Sequence, residues 1–225
     1  MDREYWIRLV NFWPITHDGE SSYQCLLDEV EHDLSRGTIK VGGRVCQEAR
    51  MTTMYSRIEG AMMKYSGRKL EPKKPISTGY IDVMLDLVND PDFKENLYLD
   101  VPQLRGILPD FNAVFINWYR PLQLCGDKMD NLGMHSDDTS GMTSEVILSV
   151  TLCTPNGERL FSMHDKAQGD KIVWQAELND GDIVIMLPGC QKLYKHSVSS
   201  RKTHLDKSVI TGGRINITFR ALKLE

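Results

Sequence analysis

The order of residues predicts a mainly β, α+β architecture: an antiparallel sandwich or barrel that carries its helices at the N-terminal end. Three observations predict it. From Phe111 onward the chain breaks into short apolar-rich segments of strand length, at 112–119, 145–151, 159–163, 171–177, 182–187 and 214–222. Turn-forming pairs separate several of them, namely Asn156-Gly157, Gly181-Asp182 and Gly212-Gly213. Helical periodicity is confined to the first ninety or so residues, so no helices alternate with the strands as a parallel sheet would require.

Size and composition agree with one soluble domain. The chain has 225 residues, 41% hydrophobic and 26% charged, which are ordinary values for a globular domain. The expected division is an N-terminal part over 1–110 and a β core over 111–225. The longest apolar runs, 113–116 and 183–187, fall far short of the ~20 residues of a membrane helix. The first residues hold no apolar stretch of signal-peptide length. A net charge of −4 excludes a protein that coats nucleic acid through bulk positive field, though not a local basic patch. Cys25, Cys46, Cys125, Cys153 and Cys190 are odd in number, scattered and never spaced C-x-x-C. They read as reduced thiols of a cytoplasmic or nuclear protein, not as a disulfide framework or zinc site.

In the N-terminal part, Leu26, Leu27, Val30 and Leu34 fall near helical spacing and predict an amphipathic helix over 22–34. Ile81, Met84, Leu85 and Val88 predict a second, with Pro91 just past its end. Between them, 41–76 reads as hairpins and loops.

The last strand, Arg214-Ile215-Asn216-Ile217-Thr218-Phe219-Arg220, is the most informative segment. Its alternation puts Arg214, Asn216, Thr218 and Arg220 on one face and the apolar residues on the other. Two readings stand side by side: an amphipathic strand with a solvated polar face, or an interior face that holds an anion. The arginine Cα atoms lie roughly 20 Å apart at 3.3 Å per residue. Side chains leaning inward would leave a gap suited to a short dicarboxylate with a guanidinium at each end.

His135-Ser136-Asp137 is an H-x-D pair. With a distant second His it can form the facial triad of non-haem Fe(II) oxygenases. Alone the pair is weak, because a rival, His204-Leu205-Asp206, stands in a polar loop of the same chain. The rival has no further His downstream, whereas His135-Ser136-Asp137 is followed by His196, which lies after an apolar strand and before the arginine strand. His164-Asp165, near a strand end, reads as surface.

With these pieces in order, the chain resembles the AlkB-like family of Fe(II)/2-oxoglutarate dioxygenases over about residues 41–222. The pieces are Asn117-Trp118-Tyr119, His135-Ser136-Asp137-Asp138, 181–186, 194–198 and 214–220. The resemblance implies a double-stranded β-helix (jelly roll) with N-terminal helices and a substrate-recognition lid. It implies iron held by His135, Asp137 and His196. It further implies 2-oxoglutarate anchored by Asn117, Tyr119, Arg214, Asn216 and Arg220, with Arg214 and Tyr119 at its distal carboxylate and Arg220 and Asn117 near the metal. In such enzymes the cosubstrate is decarboxylated with O2 to succinate and CO2 while an N-alkyl carbon is hydroxylated and leaves as an aldehyde, formaldehyde for a methyl group. The carboxylate of Asp137 sets the chain apart from halogenases of this fold, which carry a small residue there.

The same resemblance places a nucleotide-recognition lid over 44–70. A flipped base could stack on Tyr55 or Tyr65 with Arg50 near the site, while Met51, Met54, Met62 and Met63 read as flexible packing. From Lys64 to Lys74 there are five basic residues and one acidic, a run that either is solvated or tracks phosphates. Thr139 stands where repair members carry an acid that helps read the damaged base, and 125–131 reads as an insertion near the mouth. The expected partner is alkylated single- or double-stranded DNA or RNA, with no membrane and no obligate protein partner. The alternatives are a 2-oxoglutarate-dependent hydroxylase of a nucleoside metabolite or protein, and a non-catalytic jelly-roll module.

Overall fold

Alternation of apolar and polar side chains makes strands of the C-terminal half and divides each strand between two faces. The structure, a computed structural model, describes the chain except residues 1–4, 15, 18, 42, 66–67, 76, 78, 126–128, 138, 200–209 and 225, and the side chains of 40, 41, 64, 65 and 68. In the N-terminal part the strands are β1 (Trp6–Leu9), β2 (Thr16–His17), β3 (Glu20–Ser21), β4 (Thr38–Val41), β5 (Arg44–Gln47), β6 (Met51–Ser56), β7 (Met63–Tyr65) and β8 (Arg68–Leu70). They continue as β9 (Ala113–Tyr119), β10 (Leu132–His135), β11 (Ile147–Cys153), β12 (Arg159–Asp165), β13 (Lys171–Leu178), β14 (Ile183–Met186), β15 (Tyr194–Val198) and β16 (Arg214–Arg220). The helices are α1 (Ser22–Val30), α2 (Tyr80–Asn89), α3 (Pro91–Asp100) and two single turns, α4 (Leu122–Cys125) and α5 (Cys190–Leu193). None is long and apolar enough to cross a membrane.

Six strands form one antiparallel sheet in the order β1-β14-β11-β16-β9-β6, and four form a second in the order β10-β15-β12-β13. Between sandwich and barrel, the described strands therefore form a sandwich of two sheets, the jelly-roll arrangement. The outer face of the larger sheet carries Val114, Ile116, Trp118, Ile215, Ile217 and Phe219. It packs against the apolar stripes of the helices, Leu26 and Val30 of α1, Ile81, Leu85 and Val88 of α2, and Leu97 of α3. The inner face packs against the smaller sheet through Phe115, Tyr119, Ile147, Val184 and Met186 on one side and Phe161, Met163 and Val198 on the other.

The structure corrects some expectations from sequence and extends others. Residues 41–76 are not only hairpins and loops, because β6 pairs with β9 along its whole length, from Met51↔Trp118 to Ser56↔Ala113. Met54 faces one core and Tyr55 the other. A strand buried on both faces loses the period-two signal by which it would be read. Pro91 lies just past the end of α2, as the sequence indicates. It opens α3, capped by Asp90, whose carboxylate accepts from the backbone N–H groups of Asp92 and Phe93. Proline suits the first helical turn, where its missing N–H has no partner to lose.

Of the segment 125–131, residues 126–128 lie outside the described residues, while Asp130 is described. Asp130 is 1% exposed and pairs with Arg36 (2.6 Å) and Arg120 (2.9 Å). Its backbone carbonyl accepts from Arg159 (3.2 Å). This carboxylate ties the start of the β4 hairpin to the end of β9. His164, expected at the surface, is buried, with Nε2 2.9 Å from Ser197 Oγ and Nδ1 3.2 Å from the Asp170 carbonyl.

Candidate metal centre

Antiparallel pairing of β10 with β15 sets His135 directly across from His196, with ring centroids 4.2 Å apart. The strand ends at His135, so Asp137 lies on the turn beyond it, and two hydrogen bonds hold that turn. The Asp137 N–H donates to Gln191 Oε1 (2.9 Å) and Ser136 Oγ donates to the Tyr194 carbonyl (2.7 Å). Asp137 Oδ1 then lies 3.6 Å from His135 Nε2 and Oδ2 lies 4.0 Å from His196 Nε2. One ligand atom from each of the three falls within 4.8 Å of the others, the only such group of His, Cys, Asp and Glu among the described residues. The rival His204-Leu205-Asp206 lies outside the described residues.

The chemistry of this donor set fits a divalent ion. His135 Nδ1 faces the Gly133 carbonyl at 3.1 Å, which selects the Nδ1–H tautomer and leaves Nε2 bare toward Asp137. Burial, followed by the neighbouring His135, pulls the His196 imidazole down to about 3. Burial opposes ionisation of Asp137, but Arg220 and the two histidines outweigh it and hold the carboxyl well below its usual range. Neutral imidazole and carboxylate are the forms a metal needs.

These shifts carry a prediction for the metal-free protein. Once unfolded, His196 and Asp137 take up protons near their ordinary values of 6.5 and 3.8, whereas the folded protein resists both. The unfolded state therefore binds more protons as pH falls below 6.5, and stability present above that pH is lost progressively in acid. Urea midpoints measured from about pH 7 to about pH 5 should fall. A midpoint that rises over that range contradicts the burial of His196.

The interior face of the larger sheet supplies the neighbouring groups. In β16, Arg214, Asn216, Thr218 and Arg220 are all buried, so the solvated-face reading of this strand is excluded. Register sets Arg214 opposite Tyr119, Asn216 opposite Asn117 and Arg220 opposite Ala113. The small alanine leaves room for the Arg220 guanidinium, whose Nη2 reaches Asp137 Oδ2 at 2.9 Å. Asn216 Nδ2 donates to Ser149 Oγ (2.7 Å) and the Val150 carbonyl (3.0 Å), and Arg214 Nη2 donates to Thr151 Oγ1 (2.9 Å). Arg214 Nε and Nη1 have no hydrogen-bond partner although the residue is 1% exposed. A buried guanidinium with unused donors is what an anion-binding site holds before its anion arrives.

A small cavity of about 20 Å³ adjoins the triad. It is lined by all three triad residues, Asn117, Asn216, Arg220 and Arg50 among others, and Phe161 stacks on the His196 ring at 5.6 Å. Arg50 is 2% exposed and its Nε donates to Asn117 Oδ1 at 2.5 Å. The cavity's lining stops short of Arg214 and Tyr119.

The residues expected at the substrate are dispersed. Arg50 reaches the cavity. Tyr55 does not: it is 3% exposed in the core beneath the helices, and its hydroxyl donates to Asp33. It sits on the outer face of a sheet strand, where no base can reach it. Tyr65 ends β7, and its side chain lies outside the described residues. Thr139 is half-buried, and its carbonyl accepts from the Met142 N–H (3.0 Å). Sequence reading missed Gln191, Ser149 and Thr151, which carry no motif and matter only through their partners.

The 2OG-Fe(II) oxygenase superfamily model matches residues 15–220. The chain belongs to that superfamily. Its members use Fe(II), 2-oxoglutarate and O2, and the triad described above is the donor set such an iron requires. No curated protein matches this superfamily member. Among solved structures it is similar to OsALKBH1, with 20% identity, a TM-score of 0.54 and coverage of 97% of this chain and 98% of that one. It is also similar to an oxidoreductase of the 2OG-Fe(II) oxygenase family from Burkholderia pseudomallei, with 13% identity, a TM-score of 0.53 and coverage of 98% and 89%. At these identities the likeness is one of fold, the AlkB-type jelly roll.

Proposed function

We propose that this dioxygenase removes N-alkyl groups oxidatively from bases of the 1-methyladenine and 3-methylcytosine type in DNA or RNA, a repair or RNA-demethylation activity. The observation that carries the reading is the position of the two hairpins. Met63 of β7 is buried in the inner core with Phe161 and Val198, which line the cavity, and Ile39 of β4 and Leu70 of β8 pack against that core, which supports a reading of the hairpins as a lid. The likeness to OsALKBH1 supports it at the level of fold. Five free cysteines accord with an intracellular reducing compartment.

Each residue then has a task. His135, Asp137 and His196 hold the iron. Arg220 balances the charge of Asp137, while Asn117 beside it turns a polar edge toward the metal end of the cosubstrate. Arg214 and Tyr119 receive the distal carboxylate, and Asn216 stands between that end and the metal. Arg50 keeps Asn117 oriented and forms part of the wall met by the substrate. Bound iron, with 2-oxoglutarate and O2, supplies the oxidation that converts an N-methyl group to N-hydroxymethyl while the cosubstrate becomes succinate and CO2. The hydroxyl proton is then lost, the N–C bond breaks as formaldehyde leaves, and its electron pair returns to the ring nitrogen.

Two features favour a second reading, hydroxylation of a nucleoside metabolite or protein side chain. Tyr55 is not available to stack on a base, and Thr139 replaces the acid that would help read one. Succinate formation with Fe(II) and O2 decides between them. A single-stranded oligonucleotide carrying 1-methyladenine or 3-methylcytosine should stimulate turnover, lose its methyl group and bind with salt-sensitive affinity. Turnover indifferent to the oligonucleotide transfers the substrate to the second class.

A further inference from the structure

Arg159 belongs to no motif, yet it is 0% exposed on a strand that faces the cavity. Side chains alternate along β12, so Arg159 shares a face with Phe161, which lines the cavity and stacks on His196. One interval further from the metal, its guanidinium lies 5.8 Å from the centre of the Tyr119 ring, and that of Arg214 lies 5.1 Å from the same ring. Tyr119 is thus flanked by two buried guanidiniums, one from each sheet.

Neither has a carboxylate in an ion pair with its guanidinium among the described residues. Arg159 donates from Nη1 to the Asp130 carbonyl, but its Nε and Nη2 have no hydrogen-bond partner, and the same holds for Nε and Nη1 of Arg214. The Asp130 carboxylate is committed to Arg36 and Arg120. Burial, and then the charge of Arg214, depress the affinity of Arg159 for its proton. Two like charges kept out of water with four donor nitrogens unused constitute a large cost unless an anion completes the site.

We infer that Arg159 is a second cosubstrate-binding arginine, closing with Arg214 on the distal carboxylate of 2-oxoglutarate from the opposite sheet. The inference rests on the placement of the cosubstrate along β16, and it predicts that one carboxylate is gripped by two forks around the Tyr119 ring.

The test uses the full chain with Mn(II) in place of iron and without O2, so that binding is read by calorimetry without turnover. Arg159→Gln keeps a donor for the Asp130 carbonyl and removes the charge. It should raise the Kd of 2-oxoglutarate roughly ten- to hundred-fold, the worth of a charge-assisted hydrogen bond. It should leave the Kd of Mn(II) alone unchanged, as well as that of 2-oxopentanoate, which lacks the distal carboxylate. Arg159→Lys should recover part of the loss. In turnover with iron the penalty should fall on KM for 2-oxoglutarate more than on kcat. If Arg159→Gln binds 2-oxoglutarate as the wild type does while Arg214→Gln does not, Arg159 only supports the Asp130 turn and the inference is overturned. An equal loss for 2-oxoglutarate and 2-oxopentanoate overturns it too, since the effect then lies away from the carboxylate. If neither arginine variant weakens 2-oxoglutarate, the placement of the cosubstrate itself fails.

Discussion

Asp137→Ala should reduce succinate formation from 2-oxoglutarate by roughly a thousand-fold or more, the scale on which losing one member of a catalytic constellation acts. Two losses coincide at this position. The metal loses the only carboxylate of its donor set, and Arg220, 2% exposed, loses the acid 2.9 Å from its Nη2. A buried guanidinium without its partner will turn toward the nearest acceptor or draw in water. His135→Ala and His196→Ala should be as inactive, and all three should fail to retain Mn(II) under conditions in which the wild type does. His204→Ala should keep near-normal turnover. Inactivity of His204→Ala beside an active His135→Ala would reverse the choice between the two H-x-D motifs.

Gly157→Ala is expected to have the largest effect on folding. A Cβ at Gly157 would lie 2.2 Å from the Gly213 carbonyl oxygen and 2.9 Å from that of Thr154. Gly212 meets the mirror restriction, with a Cβ 2.4 Å from the Pro155 carbonyl and 2.5 Å from the Gly157 nitrogen. These two turns dock backbone to backbone, with Gly212 N–H donating to the Asn156 carbonyl (3.1 Å) and Thr154 N–H to that of Gly213 (3.0 Å). No flexible side chain can yield, so the backbone must separate, at a cost of about 1–3 kcal/mol and a Tm lower by several degrees. The segment displaced leads directly into Arg214, so 2-oxoglutarate binding should weaken while the His135-Asp137-His196 end keeps its metal. A Tm and a 2-oxoglutarate Kd both equal to the wild type's would show that the turns can separate freely.

The clustering of His135, Asp137 and His196 was anticipated through the resemblance, whose H-x-D and later His are chemically restricted residue types. Only imidazole and carboxylate suit such an ion, and a strand, a turn and a second strand place them whatever the intervening sequence. The arginine face of β16 was half legible. Alternation assigned Arg214 and Arg220 to one side of the strand, but whether that side met water or an interior depended on the second sheet. Tyr55 and His164 were misread for a related reason. A single residue on a strand gives no sign of what covers it, and Tyr55 is covered by the helices while His164 packs on β15.

The sequence by itself determined several strand periods and turn positions, which follow from local spacing, and the ordered motifs that carry the resemblance to the family. Tertiary structure alone decided what lies opposite what. β6 enters the larger sheet although it has no alternation, because both of its faces are buried. Gln191 holds the Asp137 turn, Asp130 gathers Arg36 and Arg120, and Arg159 meets Arg214 across Tyr119, all through contacts between residues distant in the chain. Such pairings follow from register and sheet packing, which depend on the whole chain's burial, and no short window of residues contains them.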